Sequence, residues 1–150
     1  MVINNLIYLT RKIYSNFFLN KYPDLKEIIK STNKSISTGT ELTDYIYLYR
    51  FIKRFKPQIV LECGTGKSTF VIAHAMKKYS NKNSKLVSME SVKKYYTAQK
   101  KIFPKKKYPF VEIKYSPLKL YTYSFISGTG YSKIPDYKYD FVFVDGPLGS

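Results

Sequence analysis

Apolar residues recur along the chain with two different periods, and the order of these periods predicts a mixed α/β domain. Apolar positions at helical spacing mark four long segments, at residues 3–18, 42–55, 67–79 and 92–103. Short runs rich in β-branched and aromatic side chains mark four strands, at about 58–63, 85–89, 110–115 and 139–144. Strands that alternate with helices favour a parallel sheet with right-handed crossovers.

Polar and turn-forming residues divide these segments into two expected units. Residues 24–30 predict a short second helix, and residues 31–39, which are rich in Ser, Thr and Asn, predict a linker. We therefore expect a helical extension with its linker at residues 1–39. An α/β domain then follows at residues 40–150.

Two details concern the connections between the strands. Gly128, Gly130 and Pro135 predict that residues 127–136 form a loop before the last strand. Ser91 stands directly before a lysine-rich helix, and a serine hydroxyl at that position predicts an N-cap.

The segment between the first strand and the next helix carries the most information about function. It reads Ile59-Val60-Leu61-Glu62-Cys63-Gly64-Thr65-Gly66-Lys67-Ser68-Thr69. The strand ends in a carboxylate, and two glycines then let the backbone approach a ligand closely. The following helix offers free N–H groups and a partial positive charge to an anionic group. An adenosine-containing ligand is therefore expected.

Two common nucleotide motifs match this segment only in part. The tail Gly66-Lys67-Ser68 is that of a phosphate-binding P-loop, but Leu61, a strand residue, stands where that loop needs its first glycine. The dinucleotide fingerprint needs a third glycine where this chain has Thr69. Neither motif accounts for the whole segment.

A third motif accounts for the segment and for two later strand ends. Glu62-Cys63-Gly64-Thr65-Gly66 resembles the first motif of class I S-adenosylmethionine-dependent methyltransferases. Lys85-Leu86-Val87-Ser88-Met89-Glu90 resembles the second strand of that family, which ends in an acid. Tyr139-Asp140-Phe141-Val142-Phe143-Val144-Asp145-Gly146-Pro147 resembles the fourth strand with the family's Asp. The resemblance extends from about residue 40 to the C-terminus.

The resemblance implies a Rossmann-like parallel sheet with strand order 3-2-1-4, preceded here by N-terminal helices. It implies S-adenosyl-L-methionine as cofactor, with Gly64 and Gly66 passing under its methionine part and Glu62 near its ammonium group, directly or through water. The carboxylate of Glu90 would accept hydrogen bonds from both ribose hydroxyls, since it has two acceptor oxygens. Residues around the ends of the second and third strands would flank the adenine: Met89, Ser91, Ser116 and Leu118.

Asp145 is the candidate catalytic residue, because the resemblance places it close to the transferred methyl group. It could act as a general base, as a charge facing the sulfonium or as a metal ligand. The further acidic ligands of metal-dependent relatives come from a segment after the fourth strand, so no metal site is predicted. The acceptor is expected to be a small molecule or a sugar.

The family's sheet has seven strands, and this sequence supplies four of them before Ser150. We therefore expect a fragment, or a half that needs a partner. The fourth strand would form an exposed apolar edge, which favours association with a partner or with a second copy.

The charge of the chain suggests a different function. The formal net charge is +16, and clustered lysines bind phosphates without regard to sequence. The densest cluster lies between Lys93 and Lys107, and four of its lysines fall on one helical face, as on a solvated surface. A non-catalytic module that binds nucleic acid or acidic glycan through these lysines is therefore the alternative.

Composition also bears on location. Cys63 is the one cysteine, so no internal disulfide can form, and a reducing cytoplasm is expected. Its place beside Glu62 at the end of the first strand suggests a reactive thiol, but no base is adjacent, so a small buried side chain is expected. No apolar run approaches the roughly 20 residues that a membrane-spanning helix requires.

Overall fold

The structure, a computed structural model, describes residues 2–32 and 42–145. Five helices have the bounds α1 Val2–Lys21, α2 Pro23–Ser31, α3 Leu42–Phe55, α4 Lys67–Tyr79 and α5 Lys93–Ile102. Six strands have the bounds β1 Ile59–Cys63, β2 Lys85–Glu90, β3 Val111–Tyr115, β4 Leu118–Tyr123, β5 Ile126–Tyr131 and β6 Phe141–Val144. The predicted helices and the four predicted core strands are thus confirmed, each to within a few residues.

Four of the strands form a parallel sheet with the order β3-β2-β1-β6. Since β6 is the fourth strand of this sheet along the chain, the predicted order 3-2-1-4 is confirmed. The register pairs Cys63 of β1 with Met89 of β2 on one side and with Val144 of β6 on the other. The carboxyl ends of these three strands therefore lie at one edge of the sheet. Within residues 2–32 and 42–145, β6 is an outer strand, and Val142 and Val144 are exposed.

The main core lies on the face of the sheet that α3 and α4 cover. Helix α4 follows the glycine segment and is buried over most of its surface, because apolar residues surround it on nearly every side. A smaller core occupies the opposite face, where alternate strand residues point. It contains Leu61, Cys63, Val87, Met89 and Tyr131. Cys63 is free and buried, as its place in the first strand predicts.

The prediction of a loop at residues 127–136 is wrong in its first part. Residues 118–131 form an antiparallel hairpin of β4 and β5, with Tyr123 paired to Ile126 across a two-residue turn. Ser124 in this turn has a φ of 56°, the left-handed conformation that two-residue hairpins require. Without the Asn-Gly or Asp-Gly signal of such turns, the small residues of β5 resemble a loop sequence.

The two N-terminal helices pack on the α/β domain rather than standing apart from it. Helix α1 contacts α3, and α2 contacts α4. Asp24 of α2 accepts hydrogen bonds at one carboxylate oxygen from Tyr49 (2.6 Å) and Lys78 (2.7 Å), and the same oxygen lies 3.0 Å from a ring nitrogen of His74. Partial burial opposes ionisation, but these hydrogen bonds hold the pKa of Asp24 well below its usual range. The boundary predicted at residues 39 and 40 lies outside the described residues.

None of the helices in the described part of the chain is long and apolar enough to cross a membrane.

Candidate functional site

Three carboxylates stand at the same edge of the sheet. Glu62 is in register with Ser88 and Phe143, Glu90 is the last residue of β2, and Asp145 directly follows β6. The backbone N–H of Asp145 donates to the carbonyl of Cys63 at 2.9 Å, so the tip of β6 is fixed to the tip of β1. The sequence pattern therefore brings the three acids to one rim.

The glycine segment forms a tight connection between β1 and α4. Gly64 has a φ of 102°, a conformation that a residue with a Cβ rarely adopts, and its N–H donates to the carbonyl of Met89 at 3.0 Å. The N–H of Gly66 donates to the hydroxyl of Thr69 at 3.0 Å. The carbonyl of Gly66 accepts a hydrogen bond from the buried side-chain amide of Gln99 at 2.8 Å. The loop is thus fixed from β2, from its own helix and from α5.

Glu62 lies beneath this loop and is 0% exposed. One of its oxygens accepts hydrogen bonds from the hydroxyls of Thr69, at 2.7 Å, and Ser88. Burial raises the pKa of Glu62 to about 7, against the opposing effect of neighbouring hydroxyls. Among the described residues, its other oxygen and the buried hydroxyl of Ser68 have no hydrogen-bond partner. The carboxyl therefore holds the loop from inside.

Glu90 is also largely buried, but it faces the glycine loop. Its Oε2 accepts a hydrogen bond from the hydroxyl of Thr65 at 2.8 Å and a weaker one from the Thr65 N–H at 3.4 Å. Its Oε1 accepts from the N–H groups of Ser91 at 2.8 Å and Val92 at 2.9 Å. The prediction that Ser91 caps α5 is wrong, since Val92 is the N-cap and no side chain caps it. The two N–H groups that the Glu90 carboxylate accepts belong to the residues directly before the helix.

The residues predicted to flank an adenine lie around the tips of β2 and β3. Met89 is buried on the smaller core, and its carbonyl also accepts a bond from the Tyr131 hydroxyl at 3.3 Å. The N–H of Ser116 donates to the carbonyl of Glu90 at 2.9 Å. Leu118 begins β4 and is partly exposed. These residues are therefore close along the same rim, with Ser116 fixed directly to Glu90.

Asp145 lies on the other side of the tip of β1, and its side chain is exposed. It borders an open concavity of about 870 Å³ between α3 and β6. Aromatic residues line much of this concavity, including Tyr47, Phe51 and Phe141, and Asp44 lies at its wall. In the described part of the chain, no three His, Cys, Asp or Glu side chains are grouped as a metal site would need.

Sequence reasoning misses three residues that shape this rim. Thr65 is only a spacer between two glycines in the sequence motif, although its hydroxyl contacts Glu90. Gln99 lies among the inward-facing, mostly apolar positions of α5. A polar residue at such a position indicates a buried side chain that needs a hydrogen-bond partner. Tyr131 belongs to the hairpin that the sequence predicts as a loop, so nothing indicates its burial. Burial raises the pKa of Tyr131 above its usual range.

Comparison with known proteins supports the fold. No family model and no curated protein matches the sequence. Among solved structures, the SAH-bound methyltransferase PaMTH1 of Podospora anserina is similar with a TM-score of 0.60 at 18% identity, over 91% of this chain and 57% of that one. A Klebsiella pneumoniae protein assigned as an O-methyltransferase is similar with a TM-score of 0.50 at 14% identity, over 70% of this chain and 50% of that one.

The chain thus spans about half the length of the solved structures that it matches. Its described residues have the Rossmann-like fold of class I methyltransferases.

Proposed function

We propose that this chain is the cofactor-binding part of an S-adenosyl-L-methionine-dependent methyltransferase that acts on a small-molecule or sugar acceptor. The observation that carries the proposal is the position of Glu90, a carboxylate at a strand tip against a glycine loop. The fold supports the same proposal, because ligands of open α/β sheets bind at the carboxyl ends of the strands. The similar methyltransferase PaMTH1 binds SAH, the demethylated form of this cofactor.

The donor and acceptor groups at this rim fit an adenosine moiety. Oε1 of Glu90 already accepts two backbone N–H groups, so a ribose hydroxyl would donate to Oε2. Oε2 is contacted by Thr65, whose hydroxyl would turn away when the ribose binds. We assign Met89, Ser91, Ser116 and Leu118 to the adenine side of the site.

Glu62 has a supporting role in this proposal. A direct contact with an ammonium group needs an exposed oxygen, and the Glu62 carboxyl is 0% exposed. Its bond to Thr69, which in turn accepts the N–H of Gly66, holds the loop in the shape that the methionine part of the cofactor would lie against. Gly64 and Gly66 contribute backbone rather than side chains to that surface.

Asp145 is the residue that we assign to chemistry. The bound cofactor supplies an activated methyl group, and transfer requires an acceptor held in line with it. An acceptor hydroxyl loses its proton on methylation, and the exposed carboxylate of Asp145 would accept that proton. The neighbouring concavity offers aromatic walls to the acceptor.

Calorimetry with S-adenosylhomocysteine tests the cofactor assignment. Glu90→Gln keeps the shape of the side chain but removes the charge, and we expect about a tenfold or greater loss of affinity. Thr65→Ala removes the hydroxyl that competes for Oε2, so its affinity should equal or exceed that of the wild type. Glu112→Gln on the neighbouring strand β3 is the matched control and should bind normally. No binding to the folded wild type, or full binding by Glu90→Gln, would contradict the assignment.

Two predictions on partners and location remain proposals. We propose that the outer strand β6 pairs with a partner or a second copy, because its apolar residues are exposed. We also propose a cytoplasmic location, since the single cysteine needs no oxidising compartment. The alternative of a non-catalytic basic module is not favoured, because it leaves the buried carboxylates at the strand tips without a role.

A further inference from the structure

The tip of the β4–β5 hairpin exposes four large apolar side chains to solvent. Leu120 is 63% exposed, Tyr123 87%, Phe125 92% and Ile126 64%. The base of the hairpin is anchored, because Tyr131 is buried against the sheet and its hydroxyl donates to the carbonyl of Met89 at 3.3 Å. An anchored base with an apolar tip differs from the isolated exposed apolar residues that proteins commonly carry.

The turn places Tyr123, Phe125 and Ile126 at the outermost point of the hairpin, with Leu120 lower on strand β4. Ser124 and Phe125 form the two-residue turn, and Tyr123 pairs with Ile126 directly below it. From Leu120 to the turn the strand rises by roughly 10 Å at about 3.3 Å per residue. That length matches the upper end of the depth of roughly 5–10 Å to which interfacial helices enter a bilayer.

The segment that carries the hairpin is strongly cationic. Between Ser91 and Ile134 the only acid is Glu112, which forms ion pairs with Lys85 and Lys114. Ten lysines lie in the same segment, at 93, 94, 100, 101, 105, 106, 107, 114, 119 and 133. The ammonium of Lys93 in α5 lies 4.8 Å from the ring centre of Tyr115, which ends β3 shortly before the hairpin begins. Lys119 lies in the hairpin strand β4 itself. The apolar tip is therefore part of a strongly cationic segment of the chain.

We propose that this hairpin tip, together with the lysines of its segment, docks on the surface of an anionic lipid bilayer. Aromatic side chains are favoured at the boundary between headgroups and acyl chains, and each lysine near an anionic surface contributes attraction. In this docking, the hairpin tip supplies the apolar contact, and the lysines of α5 and of the hairpin segment supply the positive charge. Docking of this kind is peripheral and does not depend on the proposed methyltransferase function.

The composition of the surface favours lipid over nucleic acid. Leu120 and Ile126 are aliphatic and cannot stack on bases, whereas both can enter an acyl layer. No arginine lies between Ser91 and Ile134, and arginine is the side chain suited to bidentate phosphate recognition. A second copy of the chain fits less well, because the two lysine-rich surfaces would repel one another.

The chain contains no tryptophan, so one substitution provides a unique reporter. Phe125→Trp should show a blue-shifted emission with vesicles of phosphatidylcholine and phosphatidylserine, and quenching by lipids brominated on their acyl chains. Phe17→Trp on α1 is the matched control, because Phe17 is 65% exposed but distant in sequence from the lysine cluster. Its emission should not change.

Co-sedimentation with the same vesicles tests the energetics. Replacing Tyr123 and Phe125 together by serine should lower partitioning about tenfold or more, because both rings leave the apolar layer. Lys94→Gln with Lys101→Gln should lower it severalfold at low salt and less at high salt. The control pair Lys12→Gln and Lys30→Gln, on α1 and α2, should leave it unchanged.

Four outcomes would overturn the proposal. Equal partitioning of the double serine variant and the wild type is one, and an emission shift of Phe17→Trp in place of Phe125→Trp is another. A third is absence of vesicle binding together with binding of single-stranded oligonucleotide that needs Tyr123 and Phe125. The fourth is concentration-dependent dimerisation in light scattering that the double serine variant abolishes without any binding to vesicles. Far-ultraviolet circular dichroism establishes that each variant is folded.

Discussion

Replacing Glu62 by glutamine should stabilise the protein at alkaline pH and remove part of its pH dependence. The carboxyl is fully buried, and only one of its oxygens has hydrogen-bond partners among the described residues. A glutamine carbonyl can accept from Thr69 and Ser88 as the carboxyl does. Its amide can donate toward the hydroxyl of Ser68, which adjoins the carboxyl. The substitution therefore keeps the shape and removes a buried charge.

The magnitude follows from the pKa of Glu62, which burial raises from 4.5 to about 7. Below pH 4.5 the carboxyl holds its proton in both the folded and the unfolded chain. Between pH 4.5 and 7 it ionises in the unfolded chain first, so stability falls as the pH rises. Above pH 7 the buried charge of Glu62 lowers the free energy of unfolding by its full amount. At about 1.4 kcal/mol per unit of pKa shift, this decrease is about 3 kcal/mol at most.

Urea unfolding of the wild type and of Glu62→Gln at pH 5 and pH 8, followed by circular dichroism, measures this effect. The difference between the two proteins isolates Glu62 from the other titrating groups. We expect the variant to gain about 1 to 3 kcal/mol relative to the wild type over that interval. Glu112→Gln is the control, since lysines lower the pKa of Glu112 against the effect of its partial burial, and it should show no such gain. If the difference in the free energy of unfolding between Glu62→Gln and the wild type were the same at pH 5 and pH 8, the reasoning would be refuted.

Three further predictions concern stability and association. Asp24→Asn should lower the free energy of unfolding by about 1 to 3 kcal/mol at pH 7 in urea titrations, because it weakens the bonds that tie α2 to α3 and α4. The loss should shrink as the pH falls below 3.8, because Asp24 takes up its proton there in the unfolded wild type before it does so in the folded protein. Ser124→Gly should raise the melting temperature slightly, since glycine adopts a φ of 56° without strain, whereas Ser124→Val should lower it. Val144→Lys should reduce self-association in light scattering without unfolding the chain, and an unchanged mass at every concentration would contradict a role for the β6 edge.

The parallel sheet could be predicted from the sequence because its strands are short, apolar and separated by strongly periodic helices. The positions of Glu62, Glu90 and Asp145 followed from the same pattern, since the ends of parallel strands meet at one edge of a sheet. The sequence pattern of each strand shows where the strand ends, and therefore which residues lie at this edge.

The orientation of each acid at that edge could not be predicted. Whether a carboxylate faces a loop or lies beneath it depends on the side chains of other elements, such as Thr69, Ser88 and Gln99. The hairpin was missed for a related reason, because Gly128 and Gly130 lie opposite Tyr121 and Lys119. A Cβ built on Gly130 would lie 3.4 Å from the Tyr121 ring, so a small residue suits this strand as well as a loop.

The contacts around Asp24 could not be predicted from the sequence either. His74 lies on α4 and is partly buried. Its partner Asp24 lies 50 positions earlier, on a helix that the sequence assigned to a separate extension. Contacts at such separations depend on how helices pack, which local patterns do not specify.

The central claim is that the tips of β1, β2 and β3 hold an adenosine. Amide chemical-shift mapping of the isotope-labelled chain during titration with S-adenosylhomocysteine tests it most directly. We predict that the largest shifts fall at Gly64, Thr65, Ser91, Val92 and Ser116, and that the hairpin tip is unaffected. Shifts confined to the concavity between α3 and β6, or none with a folded sample, would contradict the account.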